Sequence, residues 1–415
     1  MKQEAATVVV GAGPAGLMAA LAAAEHGSRV VVCEQLDRVG ARLLATGGGH
    51  CNLSNTLPES EFMGRFGRRG RFMHPALKRL GQHGLRGYLA ELGVPTHSPD
   101  GFKVFPASNS SKTVQEALLR KCRREGVEIR TGLCAIGLLA RDGVVRGVET
   151  GEGAIPASAV VLASGGKSCR ELGGTGAGYT MAERAGHSVV RPLPALVPLV
   201  VAEAWVRQVA GVSLPSVRIW IDLPKRSRQG VCGELLFTHR GLSGPAVLDL
   251  SGDVAELLEQ HAPVPLCLNL LSQVSGAEWD GEFDRWHEME GRKRIVNLLD
   301  WRLPSSLAKV LCELAEVPDE TSAAMVTRHQ RQRLLGRLGR LGLTVLQTEG
   351  FQNAMVTRGG IALNQVNPDT LESRVVGGLH FAGEILDLDG PTGGFNLQWA
   401  FSSGFLAGSS ATERS

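Results

Sequence analysis

The sequence predicts an α/β fold in which both ends of the chain build one nucleotide-binding domain around a β-rich, partly helical insertion. Three observations predict it. A strand, a glycine turn, a helix and a second strand follow one another over residues 7–34. A strand, a glycine-rich loop and a helix recur at 377–408, at the far end of the chain. Between them, Ala159–Ala163 reads as another short buried strand, followed by Ser164, Gly165 and Gly166.

The first element is Thr7–Val10, a β-branched run suited to a buried parallel strand. Gly11, Gly13 and Gly16 follow at GxGxxG spacing. The helix expected over Pro14–His26 places Leu17, Leu21 and Ala24 on one apolar face, and Gly27 ends it. Arg29–Cys33 is the second strand, and Glu34 closes it. Each residue type has a physical reason. Gly11 permits the tight turn, Gly13 lets a pyrophosphate approach the backbone, and Gly16 lets helix and strand pack closely. The helix N-terminus offers free N–H groups and partial positive charge to phosphates. A carboxylate at Glu34 accepts from ribose hydroxyls and repels a 2′-phosphate, so FAD or NAD is favoured over NADP at this site. Pro14, Ala15 and Gln35 flank these positions and join the cofactor-contact candidates.

The next segment favours FAD over NAD. Arg42 and the run Gly47–Gly48–Gly49 before Cys51 and Asn52 suit an extended cofactor whose contacts continue past the pyrophosphate. Farther on, Val127–Arg130, Leu133–Leu139 and Val144–Thr150 read as strands, with Asp142–Gly143 as the hairpin turn. At the C-terminus, Leu379–Ala382 is a strand ending in Gly383 and Glu384. A loop with Gly390, Pro391, Gly393 and Gly394 leads to a helix starting near Phe395 or Asn396. The N–H groups at its start suit the pyrimidine side of an isoalloxazine, where a reduced flavin carries negative charge. Ala400, Gly404 and Gly408 give this helix a very small face, fit for close contact with the alanine-rich first helix.

These boundaries give an N-terminal FAD-domain part at 1–192, an insertion at 193–345 and a C-terminal FAD-domain part at 346–415. Within the insertion, 196–221 alternates like strands, whereas 255–340 is rich in helix formers. GTGAGY at 174–179 follows no convincing strand and no ribose acid comes after it, so it reads as a turn into a packed helix. No dedicated nicotinamide domain emerges, so either NAD(P)H binds transiently as electron donor or the substrate reduces the enzyme directly. A net charge of +3 over 415 residues gives no reason to expect a nucleic-acid or membrane partner. Two locally basic stretches, Arg65–Arg79 and Arg328–Arg340, read as solvated faces, with an anionic substrate or partner as the alternative. The eight cysteines form no C-x-x-C, zinc or disulfide pattern, and with no apolar run long enough to span a bilayer the cytoplasm is expected. No metal site is expected, and oligomeric state is not encoded in any motif.

With GAGPAGLMAA at 11–20, TGGGHCNLSN at 46–55, GTGAGY at 174–179, GELLFTHRGLSGP at 233–245, NPDTLESR at 367–374 and GLHFAGEILDLDGPTGGFNLQWAFSSG at 378–404, the sequence resembles the BaiN-like flavoproteins. These are also labelled the aminoacetone oxidase family of FAD-binding enzymes. The resemblance spans nearly the whole chain. It implies a glutathione-reductase-type Rossmann FAD domain made from both ends, with an inserted β-rich domain and a small helical subdomain. It carries over Gly11, Gly13, Gly16, Glu34, Arg42, Glu384, Gly394 and Asn396 as FAD contacts, with Ala135 near the adenine. Gly383 and Phe395 adjoin them. His50 stands where the family carries arginine, and Arg42 stands where lysine is common.

Hydride transfer at flavin N5 asks the protein for orientation and a proton donor or acceptor. His50, His239 and Cys51 are the catalytic candidates, with packing or hydrogen-bonding roles as the alternative for each. The expected activity is an FAD-dependent oxidoreductase acting on a small organic substrate. The alternatives are an amine oxidase passing electrons to oxygen, a tRNA-modifying flavoprotein and a non-catalytic FAD-binding protein.

Overall fold

The computed structural model describes residues 6–412 apart from 225, 227–229, 261 and 271–275. The chain divides into two compact units, 1–193 with 355–415, and 194–354.

The first unit is built on a parallel sheet of strands β1 (Thr7–Val10), β2 (Val30–Cys33), β3 (Glu128–Arg130), β4 (Ala159–Leu162) and β5 (Leu379–Phe381). Their order across the sheet is β5-β4-β1-β2-β3. Thr7 lies opposite both Ala159 and Val30, and Val160 lies opposite Leu379. Thus the C-terminal segment supplies an edge strand to a sheet begun by the N-terminus. Every residue of β1, β2 and β4 is buried, as parallel strands covered on both faces require.

Helix α1 (Pro14–Glu25) follows β1, and helix α2 (Phe395–Ser410) follows the C-terminal glycine loop. The two approach backbone to backbone. A Cβ at Gly404 would run into the Ala15 carbonyl, and one at Gly408 into that of Ala19. The small face of α2 therefore meets the alanine-rich helix. The expected single apolar face of α1 needs correction. Residues Ala15 to Ala23 are all buried, and Ala24 is the half-exposed one. A helix clasped between a sheet and a second helix has no solvent face, so all-round alanine replaces amphipathic alternation.

A meander of Ala135–Arg141, Val144–Thr150 and Gly153–Pro156 forms a separate antiparallel sheet. Asp142 (φ 55°) and Gly143 (φ 73°) turn its first hairpin, both left-handed as a two-residue I′ turn demands. The basic stretch at 65–79 lies on short helical turns. Its Arg65, Arg68, Arg69, Arg71, Lys78 and Arg79 are exposed, while Phe62 and Phe66 pack beneath against Phe395.

The second unit holds a closed antiparallel barrel. Its strands, in order round the barrel, are Leu199–Val201, Gly241–Ser243, Val231–Phe237, Ser213–Ile221, Val264–Asn269 and Leu341–Thr348. Leu341–Thr348 pairs back onto Leu199–Val201 and closes it. Helices Pro245–Gln260, Gly276–Met289, Ser305–Leu314 and Arg328–Gly339 accompany the barrel. The return to the first unit falls at 354 rather than 345, because the closing strand runs through 345 to Thr348. The helix-rich span 255–340 also supplies a barrel strand, Val264–Asn269. In the basic helix Arg328–Gly339, Arg331 pairs with Asp280 and Asp284, and Arg333 with Glu316. No helix among the described residues is long and apolar enough to cross a membrane.

Candidate functional site

The loops leaving the C-terminal ends of β1, β2, β4 and β5 gather at one end of the sheet, where open α/β sheets bind ligands. In the first loop the three glycines have different reasons to be glycine. Gly11 is left-handed (φ 100°), and a Cβ there would sit 2.6 Å from the Ala163 carbonyl oxygen. A Cβ at Gly16 would strike the Gly11 carbonyl. Gly13 is unlike both. Its backbone is ordinary extended geometry (φ −76°, ψ −175°), and a Cβ would meet nothing within 4 Å. Neither conformation nor a protein neighbour demands glycine at 13, so the space a side chain would fill is left for a ligand. Beside it, the first intrahelical bond of α1 is Leu17 N–H to the Gly13 carbonyl (2.9 Å). The N–H groups of Ala15 and Gly16 precede that bond and stand at the helix mouth, with Pro14 as the ring-locked first residue. That is an anion cradle.

Glu34 sits at the end of β2, buried, with both carboxylate oxygens in use. Oε2 accepts from Ala12 N–H (2.7 Å) and Oε1 from Leu36 N–H (2.9 Å). The acid thus ties the glycine turn to β2, and each oxygen keeps a lone pair for a ribose hydroxyl. Leu133 N–H donates to the Glu34 carbonyl (2.9 Å), which ties the segment leading to Ala135 to the end of β2. The Gln35 side chain is committed elsewhere, donating to the Gly173 carbonyl (2.8 Å).

Arg42 and Glu384, both cofactor candidates, bind each other. The guanidinium lies 2.9 Å from the Glu384 carboxylate and also donates to Ser168 Oγ (2.7 Å) and to the Ser168 carbonyl (3.1 Å). Glu384 further accepts from Thr357 N–H (2.9 Å) and Ser168 Oγ (3.1 Å). Burial acts to lower the Arg42 pKa, but Glu384 outweighs it and holds the guanidinium above its ordinary value. Arg42 thus clamps the 383–385 turn. Two further acids of that loop are held the same way, Asp387 by Arg69 (2.5 Å) and Asp389 by Arg358 (2.9 Å). This set of pairs escaped the sequence reading. The acids at 384, 387 and 389 were its visible half, but arginines at 42, 69 and 358 are too distant in the chain to be matched to them. Gly383 packs on Ala15, and its N–H and carbonyl are bound by Ser403 Oγ (2.9 Å) and Trp399 Nε1 (3.2 Å) of α2.

At the mouth of α2, Gly394 is left-handed (φ 86°), and a Cβ would collide with the Ser54 carbonyl. Asn52, with its amide nitrogen toward the Ser54 carbonyl (2.9 Å), accepts from Gly394 N–H (3.1 Å). So the TGGGHCNLSN segment is stitched directly to the second helix mouth. Phe395 is core, and its contribution to a ligand is its backbone N–H. The Asn396 side chain is also occupied: Oδ1 accepts from Gly390 N–H and Nδ2 donates to the Gly390 carbonyl, each at 2.8 Å. It staples the glycine loop.

Of the catalytic candidates, His50 is exposed on the same segment, and Nδ1 meets the Asn109 carbonyl at 3.2 Å. Cys51 is fully buried in a left-handed conformation (φ 63°). Burial pushes its thiol up to about 12, so it stays protonated and is no nucleophile at neutral pH. His239 is exposed between two barrel strands of the second unit. GTGAGY has packing reasons for its glycines: a Cβ at Gly174 would strike the Ser168 carbonyl, and one at Gly178 the Ser164 hydroxyl.

Two helix mouths, a ribose acid and an open Cβ position at Gly13 fit FAD, whose length suits contacts from both chain ends. The comparisons with known proteins agree. The family profile described as HI0933-like protein Rossmann domain matches residues 5–410. The chain is 33% identical over 410 residues to a 3-dehydro-bile acid delta(4,6)-reductase of Clostridium scindens, covering 98% of each. It is 29% identical over 413 residues to a ribosomal RNA dihydrouridine synthase of Haemophilus influenzae, again covering 98% of each. Among solved structures it is similar to the 3-ketosteroid-delta4-(5alpha)-dehydrogenase from Rhodococcus jostii RHA1. That likeness has a TM-score of 0.54 at 16% identity, over 99% of this chain and 97% of that one, and speaks to the fold. The chain belongs to the HI0933-like family of FAD-binding Rossmann proteins and is an FAD-dependent oxidoreductase.

Proposed function

We propose that this enzyme reduces an electron-poor carbon–carbon double bond in a small, ring-containing organic substrate, with NAD(P)H as a transient electron donor. The observation that carries the reading is the second helix mouth, which Gly394, Asn52 and Ser54 hold rigidly in place. FAD supplies hydride chemistry when bound, and its reduced form carries negative charge on the pyrimidine side. The N–H groups at the start of α2 are oriented donors for that charge. The three Arg–acid pairs of the 384–389 loop neutralise carboxylates that would otherwise oppose it. The protonated Cys51 leaves no ready thiolate on this segment, which favours direct exchange with an organic substrate over a thiol relay. The names of two full-length relatives, a delta(4,6)-reductase and a dihydrouridine synthase, both describe adding hydrogen across a double bond.

A second reading, action on RNA, is favoured by one observation. Among the described residues, the exposed Arg65, Arg68, Arg71, Lys78 and Arg79 have no carboxylate within ion-pair distance. The test is anaerobic turnover of the FAD-loaded protein with NADPH or NADH and a conjugated cyclic enone. Loss of the enone absorbance with a two-hydrogen mass gain supports the reduction. In a parallel aerobic assay, peroxide release from amines with no nucleotide oxidised contradicts it. Tight RNA binding that weakens steeply with salt would shift the substrate to the second reading.

A further inference from the structure

We infer that His50 is the proton donor of this site and that the Asn109 main chain fixes it in the working tautomer. The inference rests on the reductive reading above. His50 follows three consecutive left-handed glycines, Gly47, Gly48 and Gly49. A Cβ at Gly48 or Gly49 would meet nothing within 4 Å, so the segment before His50 borders open space. Two residues later, Asn52 binds the N-cap of α2. The histidine is thus carried by the segment anchored to the flavin-side helix mouth.

Its partner decides its chemistry. A carbonyl oxygen only accepts, so the 3.2 Å contact with Asn109 makes His50 Nδ1 the donor. The Nε2 atom is left to exchange protons, and the ring orientation is set from behind. Asn109 is itself fixed. It is left-handed (φ 50°), its N–H donates to the Pro106 carbonyl (2.8 Å), and its Oδ1 lies 3.0 Å from His97 Nε2. Asparagine tolerates that conformation better than other side-chain-bearing residues. Neighbouring elements carry His97 on strand Thr96–His97, Lys103 on strand Lys103–Pro106, and, on helix Ser111–Arg124, the Lys112–Glu116 pair with Arg120, Lys121, Cys122, Arg123 and Arg124 farther along.

The step balances simply. A double bond that receives a hydride at one carbon needs a proton at the other. The His50 imidazolium gives up Nε2–H, becomes neutral and keeps Nδ1–H on the Asn109 carbonyl. Reduced nicotinamide dinucleotide is the source of the two electrons.

Two measurements test this separately from the substrate. In protein labelled with 15N-histidine, the His50 signal is assigned by its loss in His50→Gln. In its neutral form it is expected to show the Nδ1–H tautomer, and an Nε2–H signal overturns the assignment whatever the substrate. In turnover with NADPH and an enone, His50→Gln is expected to keep its full flavin absorbance and lose about 10²-fold in kcat. It also loses the alkaline limb of the kcat/KM profile. A variant with normal kcat and an intact limb overturns the proton-donor role. If the wild type reduces no double bond, the reductive reading fails and the donor role falls with it, while the tautomer result stands alone.

Discussion

Gly13→Val separates the needs of the fold from those of the cofactor. At φ −76° and ψ −175° valine is conformationally at ease, and its Cβ would find no protein atom within 4 Å. Restricting the unfolded chain stabilises the variant by roughly 0.4–1 kcal/mol. Replacing glycine at an N-cap costs a similar amount. The two nearly cancel, so the apoprotein Tm should move by no more than about 4 °C. Cofactor binding should behave very differently. Valine fills the approach to the Ala15 and Gly16 N–H groups, and a hydrogen bond to a charged phosphate contributes roughly 1.5–3 kcal/mol. Losing two such bonds weakens FAD binding by about 10²- to 10⁴-fold. The assay is FAD titration of apoprotein by fluorescence quenching, alongside melts of the same samples without FAD. A variant that binds FAD with wild-type affinity would refute the cradle. An apoprotein that melts far below wild type would refute the claim that the protein itself does not need this glycine.

Other substitutions should produce contrasting patterns. Glu34→Ala removes the acceptor for two backbone N–H groups, so the apoprotein itself should lose about 3 kcal/mol and on the order of 10 °C in Tm, along with FAD affinity. An unchanged apo Tm would mean the carboxylate is not holding the turn. Gly408→Val drives a side chain into the Ala19 carbonyl, and overpacking against backbone should cost at least about 3 kcal/mol; wild-type stability in a thermal melt would contradict the helix contact. Burial lowers the His187 pKa, although a bond to the Ala182 backbone partly opposes this. The unfolded chain therefore binds its proton first, and this stability is present above about pH 6.5 and lost as pH falls through the lower folded value. His187→Gln should flatten the fall in Tm between pH 7 and 5, and an equally steep fall in the variant would remove His187 as its cause. Cys51, pushed up to about 12, should resist thiol reagents at pH 8 until the protein unfolds, and rapid native-state labelling shown by peptide mass would contradict its burial.

Much of this architecture was legible because local patterns and the fold demand the same residues. The strand–glycine–helix units at both ends, the Asp142–Gly143 hairpin and the small face of α2 each carry their reason within a short window. The side-chain network was not legible. Arg42, Gln35 and Asn396 occupy positions suited to a cofactor, and their side chains bind Glu384, the Gly173 carbonyl and the Gly390 loop. Those partnerships join segments up to hundreds of residues apart, and spacing says nothing about them. Helix α1 misled for a different reason: burial on all sides removes the polar face from which periodicity is read. In the second unit the barrel strand Val264–Asn269 lies between helices, so a window averaged over 255–340 hid it.

The most direct test of the central claim is an absorption spectrum of the purified protein, followed without oxygen by NADH and then NADPH. The account predicts oxidised-flavin bands that bleach with one of the nucleotides and return when a conjugated enone is added. A protein that shows no flavin bands even after reconstitution with FAD would contradict it.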